Sequence, residues 1–217
     1  MLDQRQDQQA PERTYGGRTL GERRAERRER LIAAGLQEIG TAGYAATSVK
    51  SLCVRAGLTE RYFYEQFGDR EALLIAVFDH VVGLVAEASF AAARAAPATV
   101  GARVRAGLRG FLEALSEDPR RARVQLIEVV GQSPELERRR FEAMDLFVSF
   151  IEAAALELEP GLDFTPGSRS HAIVLALVGG TNHLAIEWTL GDLEMELGEM
   201  LDALGALFEA AAGIGQP

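Results

Sequence analysis

Apolar positions recur every three to four residues along nearly the whole chain, and no stretch alternates apolar and polar as a half-buried strand would. A first helix is predicted over Gly21 to Gly40, with Leu31, Ile32, Leu36 and Ile39 on one face and Gly40 and Gly43 ending it. Thr47 to Glu71, TSVKSLCVRAGLTERYFYEQFGDRE, reads as a short helix, a tight turn and a second short helix. Thr47 is placed to cap the first, whose inner face carries Val49, Leu52 and Cys53. Gly57 can take the positive φ that a sharp turn between helices demands. Thr59 is placed to cap the second, where Phe63 and Phe67, four apart, share a face. Leu52, Leu58, Phe63 and Phe67 can then form one small core. Thr59, Arg61, Tyr62, Tyr64 and Glu65 are left outside it.

Further helices follow, separated by caps and prolines. Asp69 can cap a long helix running to about Ala96, stopped by Pro97. Thr99 to Ser116 is amphipathic. Asp118-Pro119 and Ser133-Pro134-Glu135 each open another helix, the second reaching about Glu159. Residues 163–168 form a loop. Ser170 to Leu190, which contains IVLALVGG, is apolar around most of its circumference, and Leu193 to Ala212 is strongly apolar as well. A helix of that kind must be buried on more than one side. Two in succession suit a two-fold, four-helix interface between subunits. Val174, Leu177, Gly180, Leu184, Leu201, Leu204 and Phe208 are the residues expected to form it. The fold class is all-α: a three-helix module over 21–70 and a helical domain over 71–217, preceded by a polar, disordered arm over 1–20.

Composition narrows the function. The 217 residues are 47% apolar and 7% aromatic, enough for a sizeable core. No uninterrupted run reaches the roughly 18 apolar residues of a membrane span. The charged first twenty residues do not resemble a signal or transit peptide, so the expected location is the cytoplasm, away from membranes. One cysteine excludes an internal disulfide; Cys53 falls on an inner helix face and reads as a small core residue. The net charge of −9 is unevenly spread. Residues 1–70 hold 12 basic and 10 acidic side chains, the remainder 11 and 22. Arg23, Arg24, Arg27, Arg28 and Arg30 concentrate the positive charge on the first helix, and nucleic-acid affinity follows such a local patch rather than the total.

A compact helix pair that exposes a second helix rich in Arg and Tyr is built to enter a major groove. Enzymatic chemistry has little to work with. His80, His171 and His183 lie on separate stretches, and no Ser-His-Asp spacing or glycine-rich phosphate loop stands out. His183 and Glu187, four apart, make half a metal site that no second pair completes. No cofactor, metal or catalytic residue is expected.

The Arg-rich first helix ending in Gly43-Tyr44, then Thr47-Ser48-Val49, Ala56-Gly57-Leu58-Thr59, Tyr64, Phe67 and Arg70-Glu71-Ala72-Leu73, together resemble the TetR family of transcriptional regulators. The match is close over residues 22–80. GGTNHLAIEWTLGDL, residues 179–193, is similar to stretches in actinobacterial members. The resemblance implies a homodimer that binds a palindromic double-stranded DNA operator, with a C-terminal pocket for a small-molecule effector that releases it, most often as a repressor. It implies phosphate contacts at Thr47, Tyr64 and Arg70, with Thr59 at the helix start and Lys50 flanking. The family commonly has a small residue at position 61, Thr or Ser at 62 and His at 65. Arg61, Tyr62 and Glu65 depart from this, so base reading is expected from Arg61 and Tyr62 themselves. For the pocket, apolar Phe111, Leu115, Ile127, Phe141, Met144, Phe147 and Trp188 and polar Glu128, Asn182 and His183 suit a cavity for an apolar or aromatic effector. Glu60 and Glu65 on the recognition helix support an alternative: a helical adaptor whose helix-turn-helix does not bind DNA.

Overall fold

The computed structural model describes residues 19–214. The arm expected over 1–20 therefore lies, up to residue 18, outside the described residues, and Thr19 already caps a helix. Among the described residues every regular element is helical. In order they are α1 (Leu20–Ala42), α2 (Val49–Ala56), α3 (Glu60–Gln66), α4 (Arg70–Ala95), α5 (Val100–Ser116), α6 (Pro119–Ala122), α7 (Pro134–Leu158), α8 (Arg169–Leu190) and α9 (Leu197–Ile214). Between α6 and α7 the chain widens into a π-helical segment, Arg123–Glu128.

Local chemistry sets these boundaries. Thr19 and Glu22 make a reciprocal capping box at α1. Ser48, rather than Thr47, caps α2 in a second box with Ser51. Gly57, at φ +62°, ends α2 in the left-handed conformation. Asp69 accepts from the Ala72 amide at 2.8 Å and starts α4. Thr59 precedes α3 but makes no side-chain cap. The last helix opens at Leu197 and not at Leu193: Leu193 and Met195 pack on the core from a non-helical connection.

α1–α3 enclose Leu31, Ile39, Leu52, Phe63 and Phe67, each no more than 4% exposed. This core runs without interruption along α4, through Leu73, Leu74, Val77, Phe78 and Val81, to Leu112 and Leu115 of α5 and to Met200, Leu201 and Leu204 of α9. Burying one such side chain contributes about 1.5–3 kcal/mol. α4 and α8 are long and apolar enough to cross a membrane by length and composition alone, but 56% of the most apolar stretch of α4 is buried inside the protein, against 22% for α8. α4 is thus the central helix of the subunit, whereas α8 turns much of its apolar surface outward.

The DNA-type module and the larger helical body meet where α1 ends on α6. Gly40 permits this contact: a Cβ there would overlap Arg120 Cβ and come within 3.0 Å of Arg120 Cα. Because backbone blocks it, Gly40→Ala should destabilise the protein by about 1–3 kcal/mol, read as a lowered denaturant midpoint.

Candidate functional site

α3 presents its polar face to solvent. Arg61 is the most open, with 85% of its side chain exposed, and its Nε donates to Glu65 Oε1 at 3.0 Å. Tyr62 and Tyr64 are exposed as well. The Arg27 guanidinium of α1 lies 4.7 Å from the Tyr62 ring centre, and the Tyr64 ring meets Phe63 edge-on at 5.3 Å. Thr59 and Lys50 are exposed at the starts of α3 and α2. These five expected DNA-facing residues therefore lie on open surface.

Thr47 and Arg70 do not present themselves that way. Thr47 is 2% exposed and its hydroxyl donates to the Gly43 carbonyl at 2.8 Å, so it fastens the turn between α1 and α2. The Arg70 guanidinium donates to the Thr47 and Tyr44 carbonyls and lies 4.9 Å from the Tyr44 ring centre, joining that same turn to α4. The α1 arginines are also partly structural. Arg30 donates to the Ala56 and Gly57 carbonyls at 2.5 and 3.3 Å, a cation on the C-terminal end of α2, and Arg28 lies 4.6 Å from the Phe67 ring centre. Burial raises the Cys53 thiol pKa, with Glu60 adding to the shift, so Cys53 is an inert core group at 3% exposure.

Behind the module lies a cavity between α4, α5 and α7, closed by α8 and α9. Its volume is about 120 Å³, small for a wall this long, so it is narrow. Its wall follows α7 from Arg140 through Met144, Phe147, Phe150, Ile151 and Ala154 to Leu158, about 27 Å by helical rise. Phe78, Phe90, Phe111 and Phe208 add to it. Phe90 stacks on Phe150 at 3.9 Å, and Phe111 meets Phe147 edge-on at 5.5 Å. The polar groups are Ser89, Arg103, Gln125, Arg140, Thr181 and Asn182.

Of the ten residues expected in the pocket, Phe111, Met144, Phe147 and Asn182 line this cavity; the other six do not. Leu115 is core at 1% exposure, and Ile127 packs on that core. Phe141 faces solvent, 63% exposed. His183 is exposed and 3.9 Å from Glu187. The Trp188 indole donates to the Met195 carbonyl at 3.0 Å and secures the connection into α9. Glu128 serves the DNA-type module. The sequence reading missed Phe90, Arg103, Phe150 and Leu158, which line the cavity where α4, α5 and α7 converge, because helical spacing alone does not tell which helices are neighbours.

The π-helical segment links cavity and module. Gln125 lines the cavity. Two residues before it, Arg123 donates to the Thr41 carbonyl at 2.8 Å and to Glu128 Oε1 at 2.9 Å. Glu128 Oε2 accepts from the Tyr44 amide at 2.8 Å. Gly43, at φ +90°, packs against Arg123 and Glu128. On α6, Arg120 donates to Gln37 Oε1 and to both oxygens of Asp118 at 2.7 Å, which holds the Asp118 carboxyl below its usual range. One short stretch, 118–128, therefore touches both the end of α1 and the cavity.

Most of the residues expected at a subunit interface are buried within the single subunit. Val174, Leu177, Leu201, Leu204 and Phe208 are between 1% and 8% exposed and belong to the subunit's own core, on which Leu184 also packs. Of the seven, only Gly180 faces outward, with nothing within 4 Å of a Cβ placed there. The exposed small and apolar positions include Ala172, Leu175, Ala176 and Gly180 on α8 and Ala203, Ala206, Leu207 and Ala210 on α9, alongside exposed Arg169 and His183 of α8 and Glu199, Asp202 and Glu209 of α9.

Residues 31–77 match the family model for bacterial regulatory proteins of the tetR family, a family of transcriptional regulators. No curated protein matches the chain. Among solved structures, the fatty acid degradation regulator FadR from Bacillus halodurans aligns with a TM-score of 0.67 at 17% identity, covering 86% of this chain and 95% of that one. FadR from Bacillus subtilis in complex with stearoyl-CoA aligns at 0.69 and 17%, covering 84% and 96%. A TetR-like transcriptional regulator from Rhodococcus sp. RHA1 aligns at 0.66 and 20%, covering 86% and 96%. At these identities the likeness is one of fold: an N-terminal helix-turn-helix module carried on a helical C-terminal domain.

Proposed function

We propose, for a chain that through residues 31–77 belongs to the tetR family of bacterial regulatory proteins, that it is a cytoplasmic, ligand-responsive repressor. It binds a palindromic operator as a homodimer and leaves it when a slender apolar effector fills the cavity. The observation that carries this reading is the 118–128 stretch, which contributes Gln125 to the cavity wall and holds the loop leading into the helix-turn-helix. The effector class is supported by the cavity's narrow, 27 Å apolar course and by the acyl compound bound in the B. subtilis regulator. The dimer is supported by the small and apolar positions among the outward residues of α8 and α9, Leu175, Ala176, Gly180, Ala203, Ala206 and Leu207, which permit close approach of a partner's helices. Of the two acidic residues behind the adaptor reading, Glu65 is paired with Arg61 at 3.0 Å on the same face, which favours the DNA-binding reading, while Glu60 still speaks for the adaptor.

A gel shift with the DNA flanking the protein's own gene tests the DNA assignment. Affinity should fall steeply with added salt, as phosphate contacts require. Arg61→Ala should weaken specific binding by about 1–3 kcal/mol and relax sequence preference, whereas Tyr64→Ala should weaken all sequences alike. Unchanged affinity and preference in Arg61→Ala would remove the base-reading role from that residue.

A further inference from the structure

Two side chains of the cavity wall carry a buried polar atom with no hydrogen-bond partner among the described residues, Gln125 through Oε1 and Arg103 through Nε, and of the two only Arg103 is paired through another atom. Ser89 donates to the Gly107 carbonyl at 2.9 Å and Thr181 to the Leu177 carbonyl at 2.8 Å. Arg103 pairs with Glu157 and Arg140 with Glu137, each at 2.7 Å. Gln125 is 8% exposed, lines the cavity, and its Oε1 is buried with no hydrogen-bond partner among the described residues. A buried amide oxygen without a partner is costly, and an apolar side chain of similar size would avoid the cost. The π-helical widening over Arg123–Glu128 coincides with this residue, and such local widenings are frequent at functional sites.

We infer that Gln125 is the receptor for a small hydrogen-bonding head, a hydroxyl or carboxyl, at the tip of a straight-chain effector whose tail runs along α7 toward Leu158. An amide can serve either head, since it accepts through oxygen and donates through nitrogen. Thr181 and Asn182 line the same wall from α8, which packs on the 123–128 segment. Gln125 and Thr181 are both more than nine-tenths buried, so this end is closed and excludes a bulky head. The effector enters head first, and a conjugate with a large polar head cannot reach Gln125. The inference rests on the reading of the cavity as the effector site and adds the polar end and the orientation.

The test uses the full chain, as wild type, Gln125→Leu and Arg103→Gln, titrated with dodecanol, dodecanoate and dodecanoyl-coenzyme A. Gln125→Leu should fold and melt above wild type without ligand, because it removes the unpaired group. It should bind dodecanol and dodecanoate about ten-fold more weakly than wild type, the worth of one strong hydrogen bond. Arg103→Gln, which removes a cation from the other end of the wall, should lose less affinity for either probe than Gln125→Leu does, and the coenzyme A conjugate should bind wild type more weakly than the free acid. Equal affinities in wild type and Gln125→Leu would overturn the head assignment while keeping the cavity as the site. A larger loss in Arg103→Gln, or tightest binding of the conjugate, would overturn the orientation. If none of the three probes binds wild type, the cavity reading falls and this inference with it.

Discussion

Leu175→Arg, alone or with Leu207→Arg, is expected to yield a folded monomer that has lost about 100-fold or more of its operator affinity. The two leucines are 44% and 51% exposed in the single subunit, on the outward faces of α8 and α9. Substitution there removes nothing from the subunit's own core, so its stability should change by no more than about 0.5 kcal/mol. In a two-fold interface each residue occurs twice, so two arginines, or four in the double variant, would be brought together without partners. One helix-turn-helix contacts a single half-site. Losing the second costs the avidity of the pair, about two to four orders of magnitude. Gly180→Arg should act in the same direction, since a side chain at that position points away from its own subunit. Leu204→Arg is the contrasting control. That residue is 1% exposed, so the charge lands in the core and unfolds the chain instead of separating it. Sedimentation and thermal melting together distinguish the two outcomes. A Leu175→Arg protein that remains fully dimeric would place the interface on another face.

The contrast between Leu175 and Leu204 shows what the sequence makes legible. Periodicity located most of the helices among the described residues to within a few residues, because caps such as Asp69, Ser133-Pro134 and Gly57 are local chemistry. It showed that α8 and α9 carry more apolar surface than one contact needs. It did not tell which side of each helix meets its own subunit, and Val174, Leu177 and Phe208 are buried within that subunit. The same limit applies to Thr47: a threonine before a helix reads as a cap, but Ser48 is the residue whose geometry closes the box, leaving Thr47 to bond back to Gly43. The start of α9 was misjudged because Leu193 and Met195 are apolar for tertiary reasons. The exposed face of α3 was readable because Phe63 and Phe67 fix its inner side and little else is within reach of so short a helix. The cavity was only partly readable. Met144 and Phe147 lie on a conspicuous stripe, whereas Arg103 and Phe90 join them through the convergence of α4, α5 and α7, which depends on close approaches such as Gly110 against the Ala88 carbonyl.

Glu128→Ala should leave effector binding intact and suppress its effect on DNA. The side chain is 14% exposed and accepts twice, from the Tyr44 amide at 2.8 Å and from Arg123 Nε at 2.9 Å. It touches neither the cavity nor the exposed face of α3, so neither binding event should lose a direct contact. Its loss strands a backbone amide and a guanidinium that is also bonded to the Thr41 carbonyl, at a cost of about 1.5–3 kcal/mol. What it removes is the connection through which a shift of Gln125 reaches the loop before α2. An effector alters DNA affinity only by favouring one arrangement of the two parts over another. A coupling of the usual size changes affinity about 5- to 150-fold. In Glu128→Ala that ratio should fall toward one, while the effector's dissociation constant stays within about two-fold of wild type. Glu128→Gln, which can still accept from the Tyr44 amide but loses the charge facing Arg123, should fall between the two. The decisive comparison is operator affinity with and without saturating effector in all three proteins. If Glu128→Ala responds as strongly as wild type, the signal passes instead along α4, the other element that both lines the cavity, at Phe78, and is tied to the module, at Arg70.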